Sequence, residues 1–152
     1  MSGNVGGKRL RIIRTMHGLH LMADLRGCPA DPGHPAAHAA MADPAALRSL
    51  CMQAVAAAGL QAVGELFHRF PAPGGVTGVV LLAESHLAVH TWPELGAVTL
   101  DVYVCNLQGD NSDCAHALLA ALEAAFAPAY VERHRVQRGG PPQPSTTTFI
   151  SP

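Results

Sequence analysis

The chain has 152 residues, of which 49% are hydrophobic and 14% are charged, and its formal net charge is −1. This length favours one domain that can fold without a metal or a disulfide. The near-neutral charge argues against nucleic acid or a membrane surface as a partner. The four cysteines lack metal-type spacing and no segment looks like a membrane span or a signal peptide, so we expect free thiols and a cytoplasmic location.

The two ends of the chain predict flexible segments around this domain. Residues 1–15 are rich in glycine and basic side chains, and residues 137–152 are rich in proline, glycine and threonine. Both compositions are typical of disorder, which leaves a domain over residues 16–136. Within it, the segment 28–43 contains three prolines and a glycine and predicts a loop.

Hydrophobic periodicity predicts two helices and six strands in the domain. The first helix has Asp43 as its N-cap and ends before Gly59, and the second begins near Ser112 and ends at Pro128. The predicted strands are Leu19–Leu25, Gln61–Phe70, Val76–Ala83, His86–Thr91, 98–105 and 130–136. This order favours an α+β fold, a two-layer sandwich of a mainly antiparallel sheet with both helices on one face.

Alternation along two strands collects reactive side chains on one face of the sheet. His86 and His90 share a face of the fourth strand, and Asp101, Tyr103 and Cys105 share a face of the fifth. The neighbouring central strand adds apolar side chains to that face, which therefore needs a cover. A second copy of the chain is the simplest cover, so we expect a homodimer with active sites near its interface.

The densest reactive group is the run Ala83-Glu84-Ser85-His86-Leu87-Ala88-Val89-His90-Thr91-Trp92-Pro93-Glu94. Ser85 Oγ could attack the carbonyl of Glu84 and turn the amide into an ester. Removal of the serine α-proton then expels the ester and leaves dehydroalanine, which hydrolyses to a pyruvoyl group and ammonia. These steps need an oxyanion donor and a base, and His90 is a suitable base because imidazole exchanges protons near neutral pH.

The residues alone leave other interpretations open. Singly, each side chain is more often structural: a serine in a turn, an exposed histidine or a cysteine in a core. A thiol hydrolase could use Cys105 with His90. A metal-binding module without catalysis could use His17, His20, His86 and His90, although the spacing His17-x-x-His20 lacks the partners of a strong zinc site.

Five segments carry a resemblance to a known family: Gly18–Leu21, Phe67–Phe70, Gly75–Val79, Glu84–Glu94 and Asp101–Cys105. Together they resemble the short bacterial S-adenosylmethionine decarboxylases, over roughly residues 16–136. That family consists of self-cleaving, pyruvoyl-dependent lyases. The resemblance implies a zymogen that cuts itself between Glu84 and Ser85. It also implies a cofactor made from Ser85 that forms a Schiff base with S-adenosylmethionine, and a product that supplies the aminopropyl donor for spermidine synthesis.

The resemblance implies residue roles in processing and proton transfer. His90 would serve the elimination step, and Thr77 stands where many relatives have a serine that assists it. Cys105 would protonate the substrate carbon after carbon dioxide has left. No metal is implied.

The resemblance also implies a substrate site. Phe70 would stack on adenine, Glu94 would bind the ribose hydroxyls, and Trp92 would add to an anionic, aromatic surface for the sulfonium. Some relatives with the same cleavage machinery decarboxylate arginine or ornithine instead. Phe70 and Glu94 favour the nucleoside substrate but leave that alternative open.

Overall fold

A computed structural model describes residues 17–29, 33–107 and 109–140. Within these ranges, six strands form one antiparallel sheet in the order β2-β3-β4-β5-β1-β6, with helices packed on one face. The predicted α+β sandwich is confirmed. The predicted N-terminal arm lies outside the described residues. No helix in the described ranges is long and apolar enough to cross a membrane.

The strands are β1 (His17–Arg26), β2 (Ala62–Arg69), β3 (Val76–Leu82), β4 (Ser85–Trp92), β5 (Ala97–Cys105) and β6 (Tyr130–Gly139). The helices are α1 (Pro35–Ala42), α2 (Pro44–Ala57) and α3 (Ser112–Phe126), and a short 3₁₀ turn covers Pro93–Leu95. Asp43 caps α2 as predicted, because its side chain accepts a hydrogen bond from the backbone N–H of Ala45 at 2.9 Å.

Helix α1 corrects the prediction of a loop over residues 28–43. Pro35 occupies the first turn of the helix, where its missing N–H and fixed φ cost nothing. The following residues are mostly alanine, the strongest helix former. Ala37, Ala40 and Met41 are buried, so tertiary packing adds to local propensity. The prolines thus mark the entry to a helix as well as a loop.

Strand β6 continues three residues beyond the predicted end of the domain at residue 136. It pairs with β1 over its whole length, from Tyr130 opposite Arg26 to Gly139 opposite His17. Its side chains are mostly exposed, and it is one of the two edge strands of the described sheet. An exposed edge strand carries little hydrophobic signal, which explains why its end was predicted too early. Residues 141–152 of the predicted tail lie outside the described residues.

The core lies between the sheet and the helices. Alternate residues of β1 point into it, and the apolar stripes of α2 and α3 meet them. Full burial of one such leucine or phenylalanine stabilises the fold by about 1.5–3 kcal/mol. Thr91 is the polar member of this layer: its hydroxyl donates to the Met41 carbonyl at 2.7 Å and accepts from the Val76 N–H at 2.8 Å. These two bonds tie the end of β4 to α1 and β3.

The opposite face of the sheet, here called the open face, carries no helix from the part of the chain that the structure describes. Strand register arranges its side chains in rows that run across the sheet. One polar row contains His68, Thr77, His90, Thr99, Asp24 and Glu132. The next row contains Leu66, Val79, Ala88, Asp101, Met22 and His134. Leu66 and Leu81 are 69% and 51% exposed, so a large apolar area of this face is open in the single chain.

Candidate active site

The first group of predicted site residues lies at one end of the open face, here called the His90 end. Thr77 and His90 are cross-strand partners on β3 and β4, and Thr77 Oγ1 lies 3.0 Å from His90 Nδ1. In the tautomer whose Nδ1–H donates to the threonine oxygen, Nε2 keeps its lone pair and can accept a proton. The structure therefore brings together two residues predicted for processing.

Thr77 and His90 line a pocket of about 310 Å³. Its walls include Phe70, Trp92 and Glu94, the three residues predicted for substrate binding. The ring centroids of Trp92 and His90 lie 6.1 Å apart. The backbone N–H of Phe70 donates to the Gly75 carbonyl at 3.0 Å, which holds this aromatic side chain at the pocket. Two aromatic side chains with one carboxylate suit a cationic ligand that carries a ring system.

The second group lies at the other end of β4, here called the Ser85 end. Ala83 and Glu84 form the tight turn between β3 and β4, and Ser85 is the first residue of β4. The Ala83 N–H donates to the Gln61 carbonyl at 3.0 Å, which anchors the turn. Glu84 and Ser85 line a cavity of about 500 Å³ together with Gln61 and Asn111. The bond predicted to break is thus part of a cavity wall.

Cys105 ends β5 at this same end of the sheet. Because His86 pairs with Tyr103, the register places Cys105 beside the turn that precedes β4. Cys105 is buried and has the phase of Tyr103, so it belongs to the open face. Ser85 has the phase opposite to His86 and lines the cavity on the helix side. The Cys105 carbonyl accepts a hydrogen bond from Asn111 Nδ2 at 2.9 Å. This bond links the backbone of Cys105 to a residue that lines the cavity.

The two groups are separated within one protomer. His90 follows Ser85 by five positions along an extended strand, which corresponds to about 17 Å. Neither side chain bridges that distance. The thiol of Cys105 lies at the Ser85 end, whereas the substrate pocket lies at the His90 end. A single protomer therefore places the predicted nucleophile and the predicted base in different sites.

A cluster of polar rings occupies the open face next to Cys105. His20 Nε2 lies 3.2 Å from Asp101 Oδ1, and the His20 ring makes edge contacts with both His86 and Tyr103. The His86 and Tyr103 rings are 5.5 Å apart, and the Arg138 guanidinium lies 5.2 Å from the centre of the tyrosine ring. This cluster joins β1, β4, β5 and β6.

The environment of His86 disfavours its protonated form. Burial lowers the pKa of His86 from its ordinary value of 6.5, and the charges of His20 and Arg138 lower it further, while Asp101 opposes them. The neutral imidazole is therefore the favoured form of His86 near neutral pH. It can accept or donate a hydrogen bond without adding a charge next to the Ser85 end.

The sequence predicted no catalytic or binding role for Asp101, Tyr103, Arg138 or Asn111. Alternation placed Asp101 and Tyr103 on the face of Cys105, but the pairing of β1 with both β5 and β6, which brings His20 and Arg138 to them, is a tertiary feature. Asn111 lies in a loop, for which the sequence gives no contact pattern.

In the described ranges, the rings of His20 and His86 are neighbours, but the histidines of the metal-binding alternative do not form a group of three or more potential metal ligands. The three potential ligands that come within 4.8 Å of one another there are Asp24, Glu132 and His134, two of which are exposed. His134 already lies 3.4 Å from Glu132 as an ion pair. An exposed group of this kind is common without a metal, and it gives the metal-binding alternative no support.

Comparison with known proteins assigns this α+β chain to a family of enzymes. The family model described as S-adenosylmethionine decarboxylase matches residues 19–139. That range covers the whole sheet except the first two residues of β1, and it contains both ends of the open face. The chain belongs to the S-adenosylmethionine decarboxylase family.

Individual relatives support the same assignment. The S-adenosylmethionine decarboxylase proenzyme of Archaeoglobus fulgidus is 37% identical over 122 residues, which cover 80% of this chain and 97% of that protein. The proenzyme of Aquifex aeolicus is 43% identical over 101 residues, or 66% of each chain. The crystal structure of the adenosylmethionine decarboxylase from Aquifex aeolicus matches with a TM-score of 0.70 and 34% identity, and covers 88% of this chain and 99% of that one.

Proposed function

We propose that the chain is a proenzyme that cuts itself between Glu84 and Ser85 and then decarboxylates S-adenosylmethionine. The observation that carries the proposal is the placement of Glu84 and Ser85 in a tight turn at a cavity wall, in a chain of the S-adenosylmethionine decarboxylase family. The word proenzyme in the names of its relatives supports processing. Nothing in the comparisons favours arginine or ornithine as the substrate.

The Ser85 end fits the formation of a pyruvoyl group. Ser85 is half-buried at the start of a strand, and the cavity beside it leaves space for the tetrahedral adduct on the Glu84 carbonyl. Attack by Ser85 Oγ replaces the amide bond by an ester bond, and the hydroxyl proton passes to the released amine. When bound at a chain end, a pyruvoyl carbonyl condenses with the substrate amine and accepts the electron pair freed by decarboxylation.

The base for this processing comes from a second protomer. His90 lies about 17 Å from Ser85 along its own strand. A two-fold axis between two facing sheets, perpendicular to their strands, brings the Ser85 end of one protomer over the His90 end of the other. The same operation buries Leu66 and Leu81, which are exposed in the single chain. We therefore place Ser85 and Cys105 opposite the Thr77, His90 and substrate pocket of the partner.

In this assembly each residue keeps the role that the resemblance implies. Cleavage frees residue 85 from the turn, so the new chain end can turn from the helix side towards Cys105. The partner pocket supplies Phe70 and Trp92 for the adenine and sulfonium, and Glu94 for the ribose hydroxyls. Cys105 then gives its proton to the substrate carbon. Closure between two sheets excludes water, which strengthens these electrostatic contacts. The cytoplasmic location stays a prediction.

The experiment is a denaturing gel combined with intact mass measurement of the freshly folded protein. We expect two fragments, 1–84 and 85–152, of which the second has a blocked amino terminus that hydroxylamine traps. Ser85→Ala should remain one uncut chain, while Cys105→Ala should cleave and then decarboxylate poorly. An uncut parental chain, or cleavage of Ser85→Ala at the parental rate, would contradict the proposal. Assays with labelled S-adenosylmethionine, arginine and ornithine separate the substrates.

A further inference from the structure

The loop between β5 and α3 is folded back on the Ser85 end by a small hydrogen-bond network. Asn111 Nδ2 donates to the Cys105 carbonyl at 2.9 Å, and the Asn111 N–H donates to Asn106 Oδ1 at 2.9 Å. Asn106 Nδ2 in turn donates to Ser112 Oγ at 3.2 Å, and its backbone N–H donates to the His17 carbonyl at 2.8 Å. Among the described residues of this loop, Asn111 makes the side-chain hydrogen bond to the strand that carries the thiol.

Asn111 also belongs to the cavity that contains the cleavage site. Asn111 lines this cavity with Glu84 and Ser85, whereas Cys105 does not line it. Among the residues that the structure describes, Asn111 is thus the one that both lines the processing cavity and bonds Cys105 through its side chain. A bond to a backbone carbonyl fixes the strand end and, through it, the position of the side chain.

The helix that follows gives no separate explanation for an asparagine at this position. Asn111 is the N-cap residue of α3, but its side chain makes no capping hydrogen bond. Only its backbone carbonyl takes part in the helix, by accepting from the Ala115 N–H at 3.0 Å. The side-chain amide instead donates to the Cys105 carbonyl. An aspartate at this position could not donate this hydrogen bond, and a serine would be too short to reach the carbonyl.

We propose that Asn111 is a positioning residue for Cys105, and that its amide holds the end of β5 so that the thiol meets the chain end created at residue 85. The proposal rests on the proposed function, because it assigns Cys105 as the proton donor. It predicts separate effects on the two reactions of the protein. Self-cleavage does not use the thiol and should not depend on Asn111, whereas decarboxylation should.

The test uses Asn111→Ser, which keeps a favoured N-cap residue and no charge but is too short to hold the Cys105 carbonyl. Cleavage measured by intact mass should match the parent. The kcat for S-adenosylmethionine should fall roughly ten- to hundredfold with KM unchanged, because a proton donor displaced by about 1 Å loses alignment in the transition state. Asn111→Asp, which also keeps the N-cap, should behave in the same way. Ser112→Ala is the matched control, because it removes the partner of Asn106 in the same loop and leaves the Asn111 bond intact.

A second readout follows the thiol itself without the cofactor. In the uncut Ser85→Ala chain, alkylation of Cys105 should become several-fold faster when Asn111→Ser is added. It should stay unchanged when Ser112→Ala is added. Cys51 serves as the internal reference, because burial raises the pKa of its thiol to about 12 and keeps it protonated.

Three results would overturn the inference: an unchanged kcat in Asn111→Ser, an equal loss in Ser112→Ala, or a loss of self-cleavage in proportion to kcat. An uncut parental chain would remove the proposed function instead. In that case the alkylation comparison still decides whether Asn111 restrains Cys105.

Discussion

The two ends of the open face differ in what a single protomer completes. At the His90 end, the Thr77 hydroxyl, the imidazole and the lining of the pocket are already in contact. At the Ser85 end, the serine lines a cavity on the helix side while the thiol of Cys105 belongs to the open face. In the proposed mechanism, the first end is preorganised for binding and proton transfer, whereas the second has to change its covalent structure before it acts.

This difference separates residues by the reaction they serve. Groups that are already in position favour the reaction of a bound substrate, because they do not have to reorganise during the reaction. A turn that contains the bond to be broken only needs to hold its hydroxyl near its own carbonyl. Substitutions at one end at a time should therefore have separable effects.

Of the two changes to neighbouring side chains considered next, the larger effect is expected from the hydrogen bond between Thr77 and His90. Thr77→Ala should slow self-cleavage about fivefold, because a net hydrogen bond of about 1 kcal/mol no longer orients the base. Thr77→Ser keeps the hydroxyl and should cleave close to the parental rate. A time course on a denaturing gel after refolding measures both. Equal rates in Thr77→Ala and the parent would show that this bond does not serve processing.

A smaller effect is expected from His86 in the polar cluster. Burial and the neighbouring His20 and Arg138 lower the pKa of His86 below 6.5, and Asp101 opposes them. As pH falls below 6.5, the unfolded chain binds a proton at this position that the folded chain resists, so stability decreases. In the uncut Ser85→Ala chain, the urea midpoint should fall from pH 8 to pH 5.5. That fall should be smaller when His86→Gln is added.

The control for this comparison is His116→Gln, which changes an exposed histidine on α3. It should leave the pH dependence of the urea midpoint as in the parent. If His86→Gln and His116→Gln give the same pH dependence, the cluster does not hold His86 neutral.

Much of the fold follows from local pattern. Alternation in β4 and β5 predicted which residues share a face, and Asp43 with Pro44 predicted the start of α2. Local pattern predicted the structure least well where one residue type occurs in two kinds of structure. Proline marked the segment before Asp43 as a loop, although Pro35 begins α1. Polar residues marked 137–139 as tail, although they form the end of an edge strand.

The sequence predicted which residues belong to the candidate site, but not which of them lie close together. Ser85 and His90 are close in sequence, yet an extended strand carries them about 17 Å apart. Thr77 and His90 are 13 residues apart and in contact, because a tight turn folds β3 back on β4. The contact between Asn111 and Cys105 depends on how a loop folds, for which the sequence offered no pattern.

The central claim, that Ser85 of one protomer works with His90 of the other, is tested most directly by complementation. Ser85→Ala and His90→Ala chains carrying different tags are produced separately and together, and their masses are measured. Neither chain should cleave alone. In the mixture, the His90→Ala chain should be cut between Glu84 and Ser85, because the Ser85→Ala partner supplies His90. A mixture that stays entirely uncut, or a His90→Ala chain that cleaves by itself, would contradict the account.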